Sequence, residues 1–377
     1  QIITRNFLIY HLTGSYTLLG VLNLAHVFPV LFTSLLGGAI ADRVQKKNVL
    51  LYGTLFIAAI SLVVGISLTT GYLSVENEGS WWVLIAAAVI EGMFAGIMMP
   101  SRHTIIAEIV GEQNLMNGIA LTNLAMNLLR FLAPAIAGFI INAYDFHVVY
   151  YTMATLNVIS VILTALMPYT GKVVKSSVNM FANIMQGLKY VWRKKFILFI
   201  LIFVLISITL SMPVQTLMAV FVDEDHLNVG VYGMGILMAV SGVGAIAGSV
   251  ALASLPSKKR GLLLFAGSLM LGMALIGFSF SSSWSLALTL IFIFGLGQSM
   301  RMTLSNALVQ YYTEDKYRGR VMSIYTIEFS LASLGTFGAA LLAEKTGVEW
   351  AVGGFAMALC LVTLLVMVFV PQIRKLD

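Results

Sequence analysis

The sequence predicts an all-α integral membrane protein built from two bundles of six helices, and three observations support this fold class. Of the 377 residues, 59% are hydrophobic and only 10% are charged, whereas soluble domains carry about 25% charged residues. The apolar residues form long runs, and these runs recur in two similar halves. A soluble enzyme, a nucleic-acid-binding protein and a disordered chain are excluded, because too few polar side chains are present to cover a water-exposed surface.

The apolar runs define the individual helices. A helix needs about 20 apolar residues to cross the hydrocarbon core of a bilayer. A β-barrel is excluded, because the runs are long and do not alternate strictly. Residues 1–11 form an apolar segment of only about half the required length. Eleven full spans are predicted at residues 16–41, 48–71, 81–104, 115–143, 148–170, 196–222, 230–254, 261–281, 285–310, 321–343 and 349–370.

The distribution of Lys and Arg predicts the orientation in the membrane. One set of loops holds 17 of the 22 basic residues, and the opposite loops hold only Lys345. This asymmetry predicts that the 43–47 loop, the 171–195 linker and the C-terminus lie in the cytoplasm. Residues 181–195 of the linker predict an amphipathic helix on the inner membrane surface.

The two halves resemble each other at equivalent loops. Residues 46–51 resemble residues 259–264, about 213 positions later, and residues 110–113 resemble residues 312–315, 202 positions later. Two parallel copies of six helices explain both offsets. We therefore expect an N-terminal bundle at 1–170, the linker at 171–195 and a C-terminal bundle at 196–377. The same offset makes residues 1–11 the outer half of a first helix that is truncated in this chain.

Charged side chains inside the predicted spans are functional candidates, because they are costly in a bilayer. Glu91 and Arg130 lie at matching depths in consecutive spans, which predicts a buried ion pair. Water that enters from either side of the membrane would change the protonation of such a carboxyl group. The alternative is a static ion pair that only holds the two helices together. His26 is either a third group that titrates or a packing histidine. We expect Arg5 at the membrane interface, and Glu328 near the cytoplasmic side, where it can pair with Arg301.

Several motifs resemble a known transporter family. The run GAIADRVQKK at 38–47 is similar to motif A of the major facilitator superfamily, with Gln45 in place of the usual second glycine. The runs LTGS at 12–15, PSR at 100–102, RFLAP at 130–134 and RGRVMSIY at 318–325 resemble the macrolide-efflux and enterobactin-exporter-like branch, also called transmembrane secretion effectors. This resemblance implies the major facilitator fold of twelve helices, with helices 1, 4, 7 and 10 lining a central cavity.

The resemblance also implies roles for individual residues. Asp42 is expected to face the N-terminal end of helix 11 near Arg320 and to latch the cytoplasmic side, since a helix N-terminus attracts an anion. Arg43 is expected to pair with Glu108, whereas Lys46 and Lys47 are gating residues or only determinants of topology. The other expected gating residues are Gly38 and Arg318. The expected contacts in the substrate cavity are Asn123, Asn127, Gln215, Gln298, Arg301 and Glu328.

The sequence contains no Walker loop, nucleophile elbow, zinc-ligand pair or dinucleotide fingerprint, and its single cysteine excludes a disulfide. We therefore expect no enzyme activity, cofactor or metal, and transport driven by an ion gradient or by the substrate's own gradient. The resemblance implies a monomeric, proton-coupled exporter of amphipathic small molecules, such as drugs, macrolides or siderophore-like compounds, within membrane lipid. The alternatives are an uptake carrier or lipid transporter on the same fold and, from another class, a non-transporting sensor or scaffold.

Overall fold

The computed structural model describes residues 1–41, 44–167, 180–222, 226–254 and 259–370. Within these ranges the backbone forms thirteen α-helices and no strand, and ten segments are long and apolar enough to cross a membrane. The prediction of an all-α membrane fold is confirmed. The helices are α1 (Ile2–Thr13), α2 (Tyr16–Ala41), α3 (Lys46–Thr69), α4 (Trp82–Tyr144), α5 (Phe146–Leu166), α6 (Met180–Arg193), α7 (Lys195–Ser211), α8 (Pro213–Phe221), α9 (Gly230–Ser254), α10 (Arg260–Ser279), α11 (Trp284–Tyr312), α12 (Asp315–Thr346) and α13 (Val348–Phe369).

Two predicted spans, 81–104 and 115–143, are joined without a loop in α4. The only non-helical residue inside α4 is Gly111, with φ 72° and ψ 167°. This backbone conformation is essentially restricted to glycine, because a side chain would clash with the neighbouring peptide groups. A single glycine therefore replaces the connecting loop that the sequence predicts between the two spans.

Prolines interrupt one predicted helix and leave another continuous. The predicted span 196–222 divides into α7 and α8 at Met212, and Pro213 is the first residue of α8, where its missing N–H is tolerated. In contrast, α2 continues through Pro29. Here the hydroxyl of Thr33 donates to the carbonyl of Pro29 at 2.7 Å and to that of Met93 on α4 at 2.9 Å. Pro29 therefore does not break α2.

The chain divides into two compact units, Gln1–Val178 and Asn179–Asp377. In the first unit, α2 packs on α4 and α3 packs on α5, while α1 contacts α2, α4 and α5. In the second unit, α9 packs on α11 and α10 packs on α13. The same order of pairing therefore occurs in both units, as the repeat in the sequence predicts.

A close helix crossing occurs at the same place in each unit. A Cβ atom on Gly37 of α2 would lie 2.7 Å from the carbonyl oxygen of Ile97 on α4, and one on Gly248 of α9 would lie 2.6 Å from that of Leu296 on α11. Both distances are too short for a real Cβ contact, so glycine is required at each crossing. The separation of Gly37 and Gly248 along the sequence is nearly the same as the offset between the similar loop segments of the two halves.

The amphipathic helix α6 is part of the second unit, where it packs on the start of α12. The rings of Tyr190 and Tyr317 stack with centroids 4.3 Å apart, and the backbone N–H of Glu314 donates to the hydroxyl of Tyr190 at 3.2 Å. Lys194 forms an ion pair with Glu314 at 3.3 Å. Because Gly187 lies against Arg320, a side chain at this position would crowd the first turns of α12.

Candidate functional site

A buried ion pair connects α1 and α4 in the N-terminal unit. Nη1 of Arg5 donates to Oε2 of Glu91 at 2.6 Å, and the two residues are only 2% and 4% exposed. Glu91 lies nine residues after the start of α4, which corresponds to about 14 Å along the helix and to the middle of the Trp82–Arg102 span. The pair is therefore at mid-membrane depth, where an ionised carboxyl group requires a partner.

A third residue completes the hydrogen bonding of this carboxyl group. The side-chain amide of Gln1 donates to the other oxygen of Glu91, and it also lies 3.3 Å from the hydroxyl of Ser61 on α3. Both carboxylate oxygens of Glu91 thus accept hydrogen bonds, one from Arg5 on α1 and one from Gln1 just before α1, and the cluster links α1, α3 and α4. Nε of Arg5 is buried without a hydrogen-bond partner.

Two further titratable side chains surround the ion pair. His26 on α2 packs against α4 beside Glu91, since its carbonyl oxygen would clash with a Cβ atom at Gly92, and its Nδ1 is buried without a hydrogen-bond partner. The hydroxyl of Tyr150 on α5 is buried without a hydrogen-bond partner, and it interacts electrostatically with Arg5 and Glu91. All five helices of the unit therefore contribute to this one polar cluster.

The structure gives Glu91 a partner, Arg5, that the sequence did not predict, and the predicted contact with Arg130 stays a prediction. The burial of Arg5 corrects the expectation that this residue lies at the membrane interface. The side chains of Arg130, Asn123 and Asn127 lie outside the described part of α4. The signal that identifies Arg5 is its position as the one charged residue of an otherwise apolar α1 segment.

The start of α3 is held by two lysines of the motif at 38–47. Lys46 forms an ion pair with Glu108 on α4. The ammonium group of Lys47 donates to the carbonyl oxygens of Ala165 and Met167, each at 2.7 Å, at the C-terminal end of α5. Both lysines therefore bind neighbouring helices, and whether they also act in gating stays a prediction.

The remaining residues of this motif are only partly described. Glu108 is paired with Lys46 and was expected to pair with Arg43, but Arg43 and Asp42 lie outside the described residues. Gly38 is in the last turns of α2. The expected contact of Asp42 with the start of α12 therefore stays a prediction.

In the C-terminal unit, the predicted pair of Arg301 and Glu328 is buried but not bonded. The residues are 3% and 4% exposed, and the ion pairs found within 4.0 Å in the described part of the chain do not include one between them. Glu328 lies 13 residues after the first residue of α12, or about 20 Å along the helix. Several of the residues that precede it in α12 are charged and continue the helix beyond the apolar span, so the expected position of Glu328 near the cytoplasmic side stays a prediction.

The other predicted residues of this unit are distributed along three helices. Gln215 on α8 and Gln298 on α11 are half-buried. Arg318 donates through Nε to the carbonyl of Gln310 at 3.2 Å, and the guanidinium of Arg320 lies 5.6 Å from the ring centroid of Tyr317. Over the described ranges, no three His, Cys, Asp or Glu side chains come together as metal ligands.

A comparison with protein families identifies the chain. The family model described as Major Facilitator Superfamily matches residues 2–336 and 259–376. The chain belongs to the Major Facilitator Superfamily. Members of this superfamily are multi-pass membrane transporters and not enzymes, in agreement with the ten candidate spans.

The relatives of this superfamily member include transporters and efflux proteins. It is 25% identical over 348 residues to the staphyloferrin A transporter of Staphylococcus aureus, covering 88% of this chain and 82% of the relative. It is 23% identical over 373 residues to macrolide efflux protein A of Streptococcus pyogenes, covering 97% and 90%. A solved POT family transporter in complex with a thioalcohol-conjugated peptide has the same fold, with a TM-score of 0.75, 13% identity and coverage of 99% and 93%.

Proposed function

We propose that this transporter is a proton-coupled exporter of amphipathic small molecules that works by alternating access. The candidate substrates are drugs, macrolides and siderophore-like compounds, and the proposed location is a bacterial plasma membrane with the C-terminus in the cytoplasm. The relatives support this proposal, since they include a macrolide efflux protein and a staphyloferrin A transporter. The excess of Lys and Arg in one set of loops supports the orientation.

The ion pair between Arg5 and Glu91 is the observation that carries the proposal. Breaking such a buried pair by removing one charge costs about 3–5 kcal/mol, because the other charge stays buried without a partner. Protonation of Glu91 therefore weakens the contact between α1 and α4, and the return of its charge restores it. Proton binding and helix movement are coupled through this single contact.

The alternating protonation of Glu91 requires that its surroundings change during the cycle. In the arrangement described here, Arg5 and Gln1 together bind both carboxylate oxygens. A proton can reach Glu91 only if one of these hydrogen bonds opens and water enters. The buried hydroxyl of Tyr150 and Nδ1 of His26 have no hydrogen-bond partner in this arrangement, so water that enters can bind to both.

The proposal is tested by transport in proteoliposomes with an imposed pH gradient, with labelled erythromycin and ethidium as probes. Glu91→Gln keeps the shape of the side chain but removes the titration. We expect this variant to lose gradient-driven transport, down to the level of protein-free liposomes, while binding and exchange of the probe are retained.

The matched control is Glu78→Gln, because Glu78 is an exposed carboxyl group in the loop between α3 and α4. This variant should transport like the wild type. Wild-type coupling in Glu91→Gln would contradict the proposal. Transport of the probes in the uptake direction, measured in inside-out and right-side-out vesicles, would favour the alternative of an uptake carrier.

A further inference from the structure

A second polar cluster lies between α11 and α12, in the C-terminal unit. The hydroxyl groups of Ser305 and Tyr325 are 3.0 Å apart and fix the register of the two helices. Because α12 begins three residues after α11 ends, the two helices run antiparallel. Arg301 precedes Ser305 by one turn and Glu328 follows Tyr325 by almost one turn, so both lie on the same side of this hydrogen bond at matching depth.

Neither charged group of this cluster is satisfied by the protein. Nε of Arg301 and Oε2 of Glu328 are buried without a hydrogen-bond partner. The two charges interact electrostatically but form no ion pair within 4.0 Å among the described residues. In the N-terminal unit Nε of Arg5 is also buried without a partner, but there Glu91 contacts the guanidinium group at 2.6 Å.

The neighbouring helices offer Arg301 no other counter-charge. A guanidinium group stays protonated in proteins, and at membrane depth it requires an anion. Within the C-terminal unit, α11 packs mainly on α9 and α10 and also contacts α7, and the sequences of these three helices contain no Asp or Glu. Tyr325 and Glu328 are the ionisable groups that interact with Arg301.

We propose that Arg301 and Glu328 form a binding site for a substrate that carries a carboxylate next to a hydroxyl or amine group. Arg301 binds the carboxylate, and Glu328 accepts a hydrogen bond from the neighbouring donor. The surrounding side chains of Leu304 and Ala332 are buried and apolar, which suits an amphipathic ligand. This inference rests on the proposed function, because it takes the ligand to be a transported substrate.

The site is tested by direct binding of two probes to the purified full chain in lipid nanodiscs. Mandelate carries a hydroxyl group next to its carboxylate, and phenylacetate has the same ring and carboxylate without the hydroxyl. We expect the wild type to bind mandelate more tightly than phenylacetate. Arg301→Gln should weaken both probes by about tenfold or more, because a charge-assisted hydrogen bond is lost.

The variant Glu328→Gln separates the role of Glu328 in binding from that of Arg301. Glu328→Gln should weaken mandelate and leave phenylacetate unchanged, so that the preference between the probes disappears. Arg301→Lys keeps the positive charge but lacks the planar guanidinium group, so we expect an intermediate loss of affinity for both probes. This variant still tests the site if Arg301→Gln fails to fold. The exposed Arg193 at the end of α6 provides the matched control, and Arg193→Gln should bind both probes like the wild type.

Three results would overturn the inference: no binding of either probe to the wild type, unchanged binding in both variants of Arg301, or equal weakening of the two probes in Glu328→Gln. Binding is measured without a pH gradient. Failure of the site is therefore distinguishable from failure of the proposed proton coupling, which the transport assay measures with different probes and a different residue.

Discussion

At the scale of single residues, the contact between Arg5 and Glu91 shows which features of a buried ion pair can be predicted from the sequence and which cannot. The position of Glu91 at mid-membrane depth follows from counting residues along one apolar run. The partner of Glu91 cannot be predicted in the same way, because depth alone does not determine which neighbouring helix contributes the opposite charge. The sequence matched Arg130 to Glu91 by depth alone, and the structure shows that Arg5 contacts Glu91 at 2.6 Å.

This contact leads to a prediction about stability. Arg5→Gln should lower the free energy of unfolding by about 3–5 kcal/mol, because Glu91 loses its buried counter-charge. The double variant with Arg5→Gln and Glu91→Gln should recover most of this loss, since two neutral amides remain. Thermal or denaturant unfolding of the four proteins of the cycle gives the interaction energy.

Additive losses in the double variant would show that the two charges act independently, and would contradict the assignment of the pair. An equivalent cycle with Lys194→Gln and Glu314→Gln serves as the control. That ion pair is largely exposed, with side chains 48% and 58% exposed. Its interaction energy should stay below about 1 kcal/mol.

At the scale of helices, most boundaries could be predicted and the joints between helices could not. Apolar runs of about 20 residues follow directly from the thickness of the bilayer. A joint such as Gly111 depends on the conformation of one peptide unit, and the sequence gives no reason to prefer a kink there to a short loop. Pro213 is the exception, because its missing N–H is visible in the sequence and does end α7.

Gly111 is the basis of a prediction at this scale. Apart from the adjoining backbone, no described atom lies within 4 Å of the position of a Cβ at Gly111, so a side chain there meets no described neighbouring helix. The expected cost arises from the backbone alone. Gly111→Ala should lower the free energy of unfolding by about 1–3 kcal/mol, because φ 72° with ψ 167° is accessible essentially only to glycine.

Asparagine tests the reason for this cost. It tolerates the left-handed helical region but not the ψ value found here. Gly111→Asn should therefore destabilise the protein as much as Gly111→Ala. A full rescue by asparagine in unfolding measurements would show that the joint adopts an ordinary left-handed turn. Gly14 supplies the contrasting site, since its φ of 61° and ψ of 3° lie near that region, and Gly14→Asn should cost less than Gly14→Ala.

At the scale of the whole molecule, the repeat is the property that the sequence predicts best. Short similarities between loops give offsets of 202 and about 213 residues, and the glycine crossings at Gly37 and Gly248 recur with nearly the same spacing. The order of helix pairing is the same in each unit. The polar clusters differ between the units, because a repeat preserves the packing of the backbone and leaves the charged positions free to change.

The orientation of the whole chain is tested by labelling single cysteines in intact cells. The chain has one cysteine, Cys360, so Cys360→Ser gives a background without thiols. In this background, Glu76→Cys should react with a membrane-impermeant maleimide from outside, and Lys189→Cys should react only after the cells are permeabilised. Both positions are exposed in the structure. The reverse pattern would show that the distribution of Lys and Arg does not set the topology.

The packing of α6 on α12 has a consequence for how the chain is synthesised. Tyr190 and its partner Glu314 are 124 residues apart in the sequence. At a translation rate of about 5–20 residues per second, α6 exists for roughly 6–25 s before the residues that it finally contacts have been made. During this interval the apolar face of α6, including Tyr190, can be covered only by the lipid headgroup region. During synthesis, α6 is therefore first a peripheral membrane helix and only later part of a folded unit. The basic residues at its end, Arg193 and Lys194, favour contact with anionic lipid in the nascent protein.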